Sequence, residues 1–152
     1  MNTNIATSRH SRQVEWLRKD LTSTRNNCTL AYWHHPLFSS GHHGNHDDVK
    51  PIWKALSAVN ADIVLSGHDH NYERFAPMSA NGEKRRRGTR SFVVGNGGRN
   101  LRPIADVQPH SKARNATNFG VLKLNLRADD YRWRFLPDKF GSYTDAGTGD
   151  CH

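Results

Sequence analysis

The stretch that decides the fold is IVLSGHDHNYER, residues 63–74 of this 152-residue chain. Its apolar start, Ile63–Leu65, is followed by a Ser-Gly pair, which predicts a buried strand that ends in a tight turn. The turn presents His68 and His70, two imidazoles separated by one residue. In open α/β sheets ligands bind beyond the carboxyl ends of the strands. The pattern therefore predicts a ligand site at this strand end.

Histidines gather around this stretch in the sequence. A second apolar, β-rich run at residues 29–33 predicts another buried strand, which delivers His34 at its carboxyl end, before Pro36. Chance alone explains a His-x-His spacing in a chain with 10 His, but not a whole octapeptide placed after a strand. Neutral imidazole is the commonest metal ligand and suits Zn and Fe. Seven of the ten histidines lie in the segment from residue 34 to residue 70: His34, His35, His42, His43, His46, His68 and His70.

The octapeptide GHDHNYER, residues 67–74, resembles the last metal-binding motif, of Gly-His-x-His type, of the metallophosphoesterases (calcineurin-like phosphoesterases). The resemblance is to their purple-acid-phosphatase-like and exported bacterial phosphatase branch. Three further stretches resemble the same branch: YWHHPLFSSG at 32–41, FVVGNGG at 92–98 and DAGTGDCH at 145–152. The resemblance implies an α/β fold, the C-terminal half of a four-layer αββα catalytic domain, spanning residues 13–152. The resemblance also implies that the chain is a fragment of such a domain, encoded by a truncated or split reading frame.

The resemblance also implies a chemistry. Members of the family hydrolyse phosphate mono- or diesters with a metal-bound hydroxide, on a pair of Fe, Zn or Mn ions that lowers the pKa of water. In this sequence His34 and His68 match ligands of one metal and His70 matches a ligand of the other. His42 and His43 fall where relatives contact the substrate phosphate, and His35 is given no ligand role.

The family's upstream motifs, which supply two Asp, an Asn and a leaving-group His, have no place in this chain. GNHD at residues 44–47 resembles one of them but follows His34 instead of preceding its strand. We interpret it as a loop, with a ligand role for Asn45 left open. Without the bridging carboxylate, three His hold at most one metal. The alternative to an enzyme is therefore a non-catalytic remnant with a His-rich single-metal site.

The rest of the chain reads as one half-domain after a polar, frayed segment at residues 1–12. Helices are expected at residues 13–21, ended by Asn26–Asn27, and from Pro51 to Val59. Residues 99–118 read as a surface loop. Alternation at residues 119–126 and 131–135 predicts a C-terminal antiparallel hairpin with one wet face. A half-domain should expose a sheet, which predicts an upstream half-domain or a second copy as partner.

The charge of +8 and the basic run at residues 84–87 favour anionic partners. We interpret the run as a solvated loop and nucleic acid as an unlikely partner, because no aromatic residues interleave with the charges. No apolar run is long enough to span a membrane, and no signal-peptide core follows Met1. The resemblance implies an extracellular or periplasmic location.

The chain has two cysteines, Cys28 and Cys151. An even count permits one disulfide, and two buried free thiols are the alternative. On the resemblance to exported family members, we predict that the two residues lie close enough to bond.

Overall fold

The computed structural model describes residues 1–23 and 27–152, which form two helices and two sheets. The elements are α1 Arg12–Ser23, β1 Leu30–Tyr32, α2 Lys50–Ser57, β2 Ile63–Ser66, β3 Tyr72–Phe75, β4 Arg90–Val94, β5 Ser111–Asn115, β6 Gly120–Leu126, β7 Asp130–Pro137 and β8 Ala146–Asp150. No helix in the described ranges has the length and apolar character that crossing a bilayer requires.

The two sheets differ in type. The five-stranded sheet has the order β1-β2-β4-β3-β5, in which β1, β2 and β4 are parallel to one another and β3 is antiparallel to both β4 and β5. The three-stranded sheet, β6-β7-β8, is wholly antiparallel. The predicted α/β class is therefore confirmed, and so are the C-terminal hairpin and the strands that precede His34 and His68. The prediction that both strands are buried holds for β2 but is wrong for β1, which is only partly buried because it lies at the edge of the sheet.

The core lies on both faces of the five-stranded sheet. Val64 in β2 packs with Leu17 of α1 and Leu56 of α2, whereas its neighbour Ile63 packs with Phe135 of β7. Successive side chains of a strand point to opposite faces, so one apolar strand serves both layers. The described layers are thus helices, five-stranded sheet and three-stranded sheet.

Several elements differ from the sequence prediction. The region read as a surface loop, 99–118, contains β5, and the Gly-rich tail is a third strand, β8, paired with β7. A Cβ at Gly147 would collide with the Trp133 ring and one at Gly149 with the Tyr131 ring, so these glycines let aromatic side chains lie flat on β8. The first helix ends at Ser23. Asn26, predicted to help end it, lies outside the described residues.

The segment 1–12, which we expected to be frayed, is held against the domain by polar contacts. The Thr7 hydroxyl donates to the Asp48 carbonyl at 2.6 Å, and the Gln13 amide donates to two carbonyls of the segment at 2.8 Å. The Thr3 Oγ1 lies 2.7 Å from His35 Nδ1. Polarity alone does not predict fraying here, because short side chains find backbone partners in the following loops.

Two devices tie the three-stranded sheet to the rest of the fold. Cys28 and Cys151 form a disulfide with a Cα–Cα distance of 5.0 Å, which confirms the prediction that they lie close enough to bond. The partly buried Asp145 carboxylate accepts hydrogen bonds from Tyr72 Oη at 2.6 Å, Arg74 Nε at 2.7 Å and Trp133 Nε1 at 3.2 Å. Burial alone would raise the pKa of Asp145, but the bonds from Arg74 and Tyr72 hold it below its usual range.

Candidate metal centre

The site lies at the carboxyl ends of two parallel strands, β1 and β2. Tyr32 in β1 pairs with Leu65 in β2, and beyond the sheet the Gly67 amide still donates to the His34 carbonyl at 3.0 Å. His68 has φ 64°, the left-handed conformation that few residues other than Gly adopt. This backbone turn brings His68 Nδ1 to 3.0 Å from His34 Nε2. Strained conformations of this kind cluster at functional sites.

His68 sits at the centre of a group of imidazoles. The distances from its ring centroid to neighbouring rings are 4.3 Å for His43, 4.5 Å for His35, 4.8 Å for His46 and 4.9 Å for His34. Burial, followed by repulsion from these rings, lowers the pKa of His68 to about 4. At neutral pH its ring therefore keeps a lone pair on nitrogen that a metal can accept.

The tightest ligand group in the described part of the chain is His34, His35 and His68, whose ligand atoms all lie within 4.8 Å of one another. The resemblance assigned no ligand role to His35, yet the structure brings it into the group. His70 is not a member of this group. It lines the same open cleft, of about 500 Å³, with His34, His43 and His68.

The orientation of His70 still suits a ligand. Its Nδ1 donates to the Asn100 carbonyl at 2.9 Å, because a carbonyl oxygen can only accept. This bond fixes the tautomer and leaves Nε2 with a free lone pair, as is usual for metal-binding His. Metal binding by His34, His68 and His70 remains a prediction that this geometry fits.

The predicted phosphate-contacting pair, His42 and His43, lies in the loop after β1, with ring centroids 5.3 Å apart. Arg102 donates to His43 Nε2 at 2.9 Å. Burial, with a further contribution from Arg102, lowers the pKa of His43, whereas Asp69 opposes this effect. The cleft also contains Arg99. Sequence reasoning missed both arginines, because nothing in the sequence of residues 99–118 links them to the His motifs.

Buried carboxylates hold the His42–His43 loop in place. Asp69 accepts from the His43 amide at 2.8 Å and from the Ser39 hydroxyl. Glu73 accepts from the Ser40 amide at 2.8 Å and from its hydroxyl at 2.5 Å. The bonds of Asp69 go to the backbone of the loop and to a Ser hydroxyl. Asp69 therefore positions a loop rather than a ligand ring.

The GNHD stretch behaves as the loop we interpreted it to be. Asn45 Oδ1 accepts from the Ser39 amide at 2.9 Å, and Asn45 Nδ2 donates to Gln108 at 3.3 Å. His46 is different, because its ring lies 4.8 Å from both the His35 and the His68 rings. Its Nε2 is buried and has no hydrogen-bond partner among the described residues.

Comparisons with known proteins agree with the fold and the His motifs. The family model described as calcineurin-like phosphoesterase matches residues 2–72. Purple acid phosphatase 15 of Arabidopsis thaliana is 37% identical over 76 residues, which are 46% of this chain and 14% of that protein. Purple acid phosphatase 21 of the same plant is 28% identical over 149 residues, 90% of this chain and 34% of that protein.

A solved structure shares the fold. A purple acid phosphatase from yellow lupin seeds superposes with a TM-score of 0.82 at 24% identity, covering 97% of this chain and 29% of that one. Together these findings support the resemblance to calcineurin-like metallophosphoesterases that the octapeptide carries. The relatives that the chain matches are purple acid phosphatases, and the likeness is to the C-terminal part of such a protein. The chain spans at most about a third of the two Arabidopsis relatives, 14% and 34%.

Proposed function

We propose that this chain contributes metal ligands and phosphate contacts to a metal-dependent phosphoesterase that hydrolyses phosphate mono- or diesters when the catalytic domain is complete. The observation that carries the proposal is the pairing of His34 Nε2 with His68 Nδ1, 3.0 Å apart at two adjacent strand ends. His34 and His68 would hold one metal and His70 the other, and the metals would activate water and polarise the phosphate.

The remaining residues of the cleft suit an anionic substrate. Arg102 lies against His43, and Arg99 lines the same cleft, so two guanidinium groups face the space where a phosphate would bind. Arginine binds phosphate oxygens in a bidentate manner, which orients the group as well as attracting it. His42 and His43 complete this phosphate-binding side in the proposal. The disulfide is compatible with the extracellular or periplasmic location that we propose.

A second candidate is a non-catalytic protein that retains one metal. The tight ligand group found among residues 1–23 and 27–152 contains three imidazoles and no carboxylate. Neutral imidazole does not bridge two cations or offset their charge. The family resemblance assigns no residue of this chain to protonate a leaving group, and such help contributes roughly 10²–10⁴-fold. We therefore expect this chain alone to turn over phosphate esters poorly or not at all.

Open strand edges support the proposed partner, an upstream half-domain or a second copy of the chain. β1 and β6 each lie at the edge of their sheet, and an apolar cleft of about 360 Å³ runs between them. Tyr32 at its rim is 70% exposed and Val121 is 57% exposed. Unpaired strand edges beside apolar side chains invite another chain to add strands.

The test measures metal content and hydrolysis of an aryl phosphate by the purified chain, with Zn, Fe or Mn added. We expect the chain to bind metal and the His68→Ala variant not to bind it. We also expect the chain with metal to hydrolyse the aryl phosphate no faster than the metal ion alone does. His10→Ala, at an exposed His outside the cleft, is the control variant. Turnover that depends on metal and on His68 would overturn the non-catalytic candidate. A chain that binds no metal would overturn both candidates.

A further inference from the structure

We infer that His35 is a metal ligand and that His34, His35 and His68, with His46 beside them, form a single-ion site made of imidazoles alone. The inference rests on the proposed function only in that His34 and His68 are shared. It assigns the first ion bound by this chain to the His35 side of the cleft and not to His70.

The geometry of the three nitrogens is close to what one ion requires. Their ligand atoms lie within 4.8 Å of one another, and two of them, on His34 and His68, are already 3.0 Å apart. Zinc binds His nitrogen at roughly 2.0–2.1 Å in a tetrahedral arrangement, which puts ligand nitrogens about 3.3 Å apart. The widest of the three separations therefore exceeds this value by about 1.5 Å, a gap that the side chains must close when the ion binds.

The N-terminal segment orients His35. The Thr3 hydroxyl oxygen accepts from the His35 amide at 3.3 Å and lies 2.7 Å from the ring Nδ1. Thr3 is buried, so the contact is protected from water. With Nδ1 engaged by Thr3, the free nitrogen of His35 is Nε2. A hydrogen bond to the second ring nitrogen is the arrangement found in most metal-binding His.

His46 supplies a second, independent observation. Its Nε2 is buried without a partner among the described residues, while its ring lies 4.8 Å from those of His35 and His68. A buried polar atom left unsatisfied costs roughly 1–3 kcal/mol, so such atoms in native proteins usually have a partner. A metal ion held by the three neighbouring imidazoles is a partner of the right chemistry for this nitrogen.

The donor set determines which ions bind. Imidazole nitrogens suit Zn, Cu, Fe and Ni, whereas Mg, Ca and Mn favour carboxylates, carbonyls and water. Co²⁺ lies between Fe²⁺ and Ni²⁺ in the Irving–Williams order of affinities and so is expected to bind the same donors. The site should therefore bind Zn²⁺ or Co²⁺ well and Mn²⁺ weakly. A three-His site also leaves a position open for water or for a substrate oxygen, unless His46 fills it.

The experiment titrates the metal-free full chain with Zn²⁺ by calorimetry and with Co²⁺ by visible absorption, which reports the coordination geometry. His35→Gln should lower the affinity for the first ion by about 100-fold or more. Thr3→Val should lower it by about 10–100-fold, the range for residues that hydrogen-bond to metal ligands. His46→Gln should alter the Co²⁺ spectrum, and His70→Gln should leave the affinity for the first ion unchanged. Circular dichroism of each metal-free variant verifies folding.

Two results would overturn the inference in different ways. If His35→Gln binds the first ion as the wild type does while His70→Gln does not, the inference fails and the His34–His68–His70 set of the proposed function stands. If the wild type binds no ion, or if His68→Gln binds it unchanged, both fail. Because the Co²⁺ spectrum reports the coordination geometry, it distinguishes the loss of one ligand from a general loss of metal affinity.

Discussion

Two polar clusters of the molecule, one around Asp145 and the other around His68, behave in opposite ways. Around Asp145 the surrounding donors point at one carboxylate: Tyr72 at 2.6 Å, Arg74 at 2.7 Å and 2.9 Å, and Trp133 at 3.2 Å. Around His68 the neighbours are rings of the same kind, 4.3 to 4.9 Å away, and His46 Nε2 has no partner among the described residues.

The difference shows how burial of polar groups serves stability in one place and binding in another. A carboxylate surrounded by donors is satisfied without help and joins the two sheets. Crowded imidazoles repel one another when protonated, and the buried His46 Nε2 among them has no hydrogen-bond partner in the described part of the chain. A complete, fully satisfied polar cluster is therefore typical of a structural role, and an incomplete, partly unsatisfied one is typical of a binding site.

Removing the carboxylate from the complete cluster should have the largest effect. Asp145→Ala leaves the Arg74 charge largely buried and unpaired, which costs about 3–5 kcal/mol of unfolding free energy. Urea denaturation measures the loss. Asp150 has an exposed carboxylate at the end of β8, and Asp150→Ala should change the unfolding free energy by less than about 0.5 kcal/mol. Equal losses in the two variants would show that the cluster does not stabilise the fold.

The disulfide that supports the complete cluster ranks next. Cys28→Ser should lower the unfolding free energy by about 2–5 kcal/mol, since the bond closes a long loop in the unfolded chain. Guanidinium denaturation of this variant and of reduced wild type should give the same midpoint. A reduced wild type that is as stable as the oxidised protein would contradict the prediction.

A smaller effect is expected where the two kinds of cluster meet, at the loop that carries His43. Ser40→Ala removes a hydroxyl that donates to the buried Glu73 at 2.5 Å, which should cost about 1–3 kcal/mol. Ser142→Ala, at an exposed position, is the matched control. Thermal denaturation followed by circular dichroism compares them, and equal melting temperatures would rule out the anchoring role of Ser40.

The smallest change should come from pH acting on the incomplete cluster. In the metal-free protein the pKa of His68 is lowered to about 4 from the ordinary value of 6.5, so the unfolded chain binds more protons between these values. The contribution of His68 is complete above pH 6.5 and falls as the pH approaches 4. Urea midpoints in a chelator should therefore decrease from pH 7 to pH 5, and less so in His68→Gln. Equal decreases would assign the effect to other groups.

The sequence predicted the parts of the fold that repeat a pattern. Leu122 and Leu124 alternate with polar residues because only one face of the β6–β7 hairpin is buried, and the apolar run from Ile63 is continuous because β2 is buried on both faces. The β5 strand, SKARN, has no such pattern, since it lies at a sheet edge and half of it faces water. Its strand character comes from pairing with β3, which no local signal contains.

The same limit applies to the site. His34 and His68 were predictable because each follows an apolar strand, and parallel strands end at one edge. His35 was assigned no role, because its position depends on the return of residues 1–11 and on its contact with Thr3. Arg102 reaches His43 across 59 positions of sequence. Contacts made by loops that return from a distance are set by tertiary packing and leave no periodic trace.

The bond between Cys28 and Cys151, which are 123 positions apart, makes most of the chain a covalent ring. The exposed run Lys84–Arg87 lies within that ring and offers trypsin several adjacent cleavage sites. A single cut there would open the circle into a linear molecule without releasing either piece. Under oxidising conditions the cleaved protein would therefore remain one covalent molecule, heavier by one water, and would keep its two sheets. It would separate into fragments only after a reductant breaks the sulfur bond.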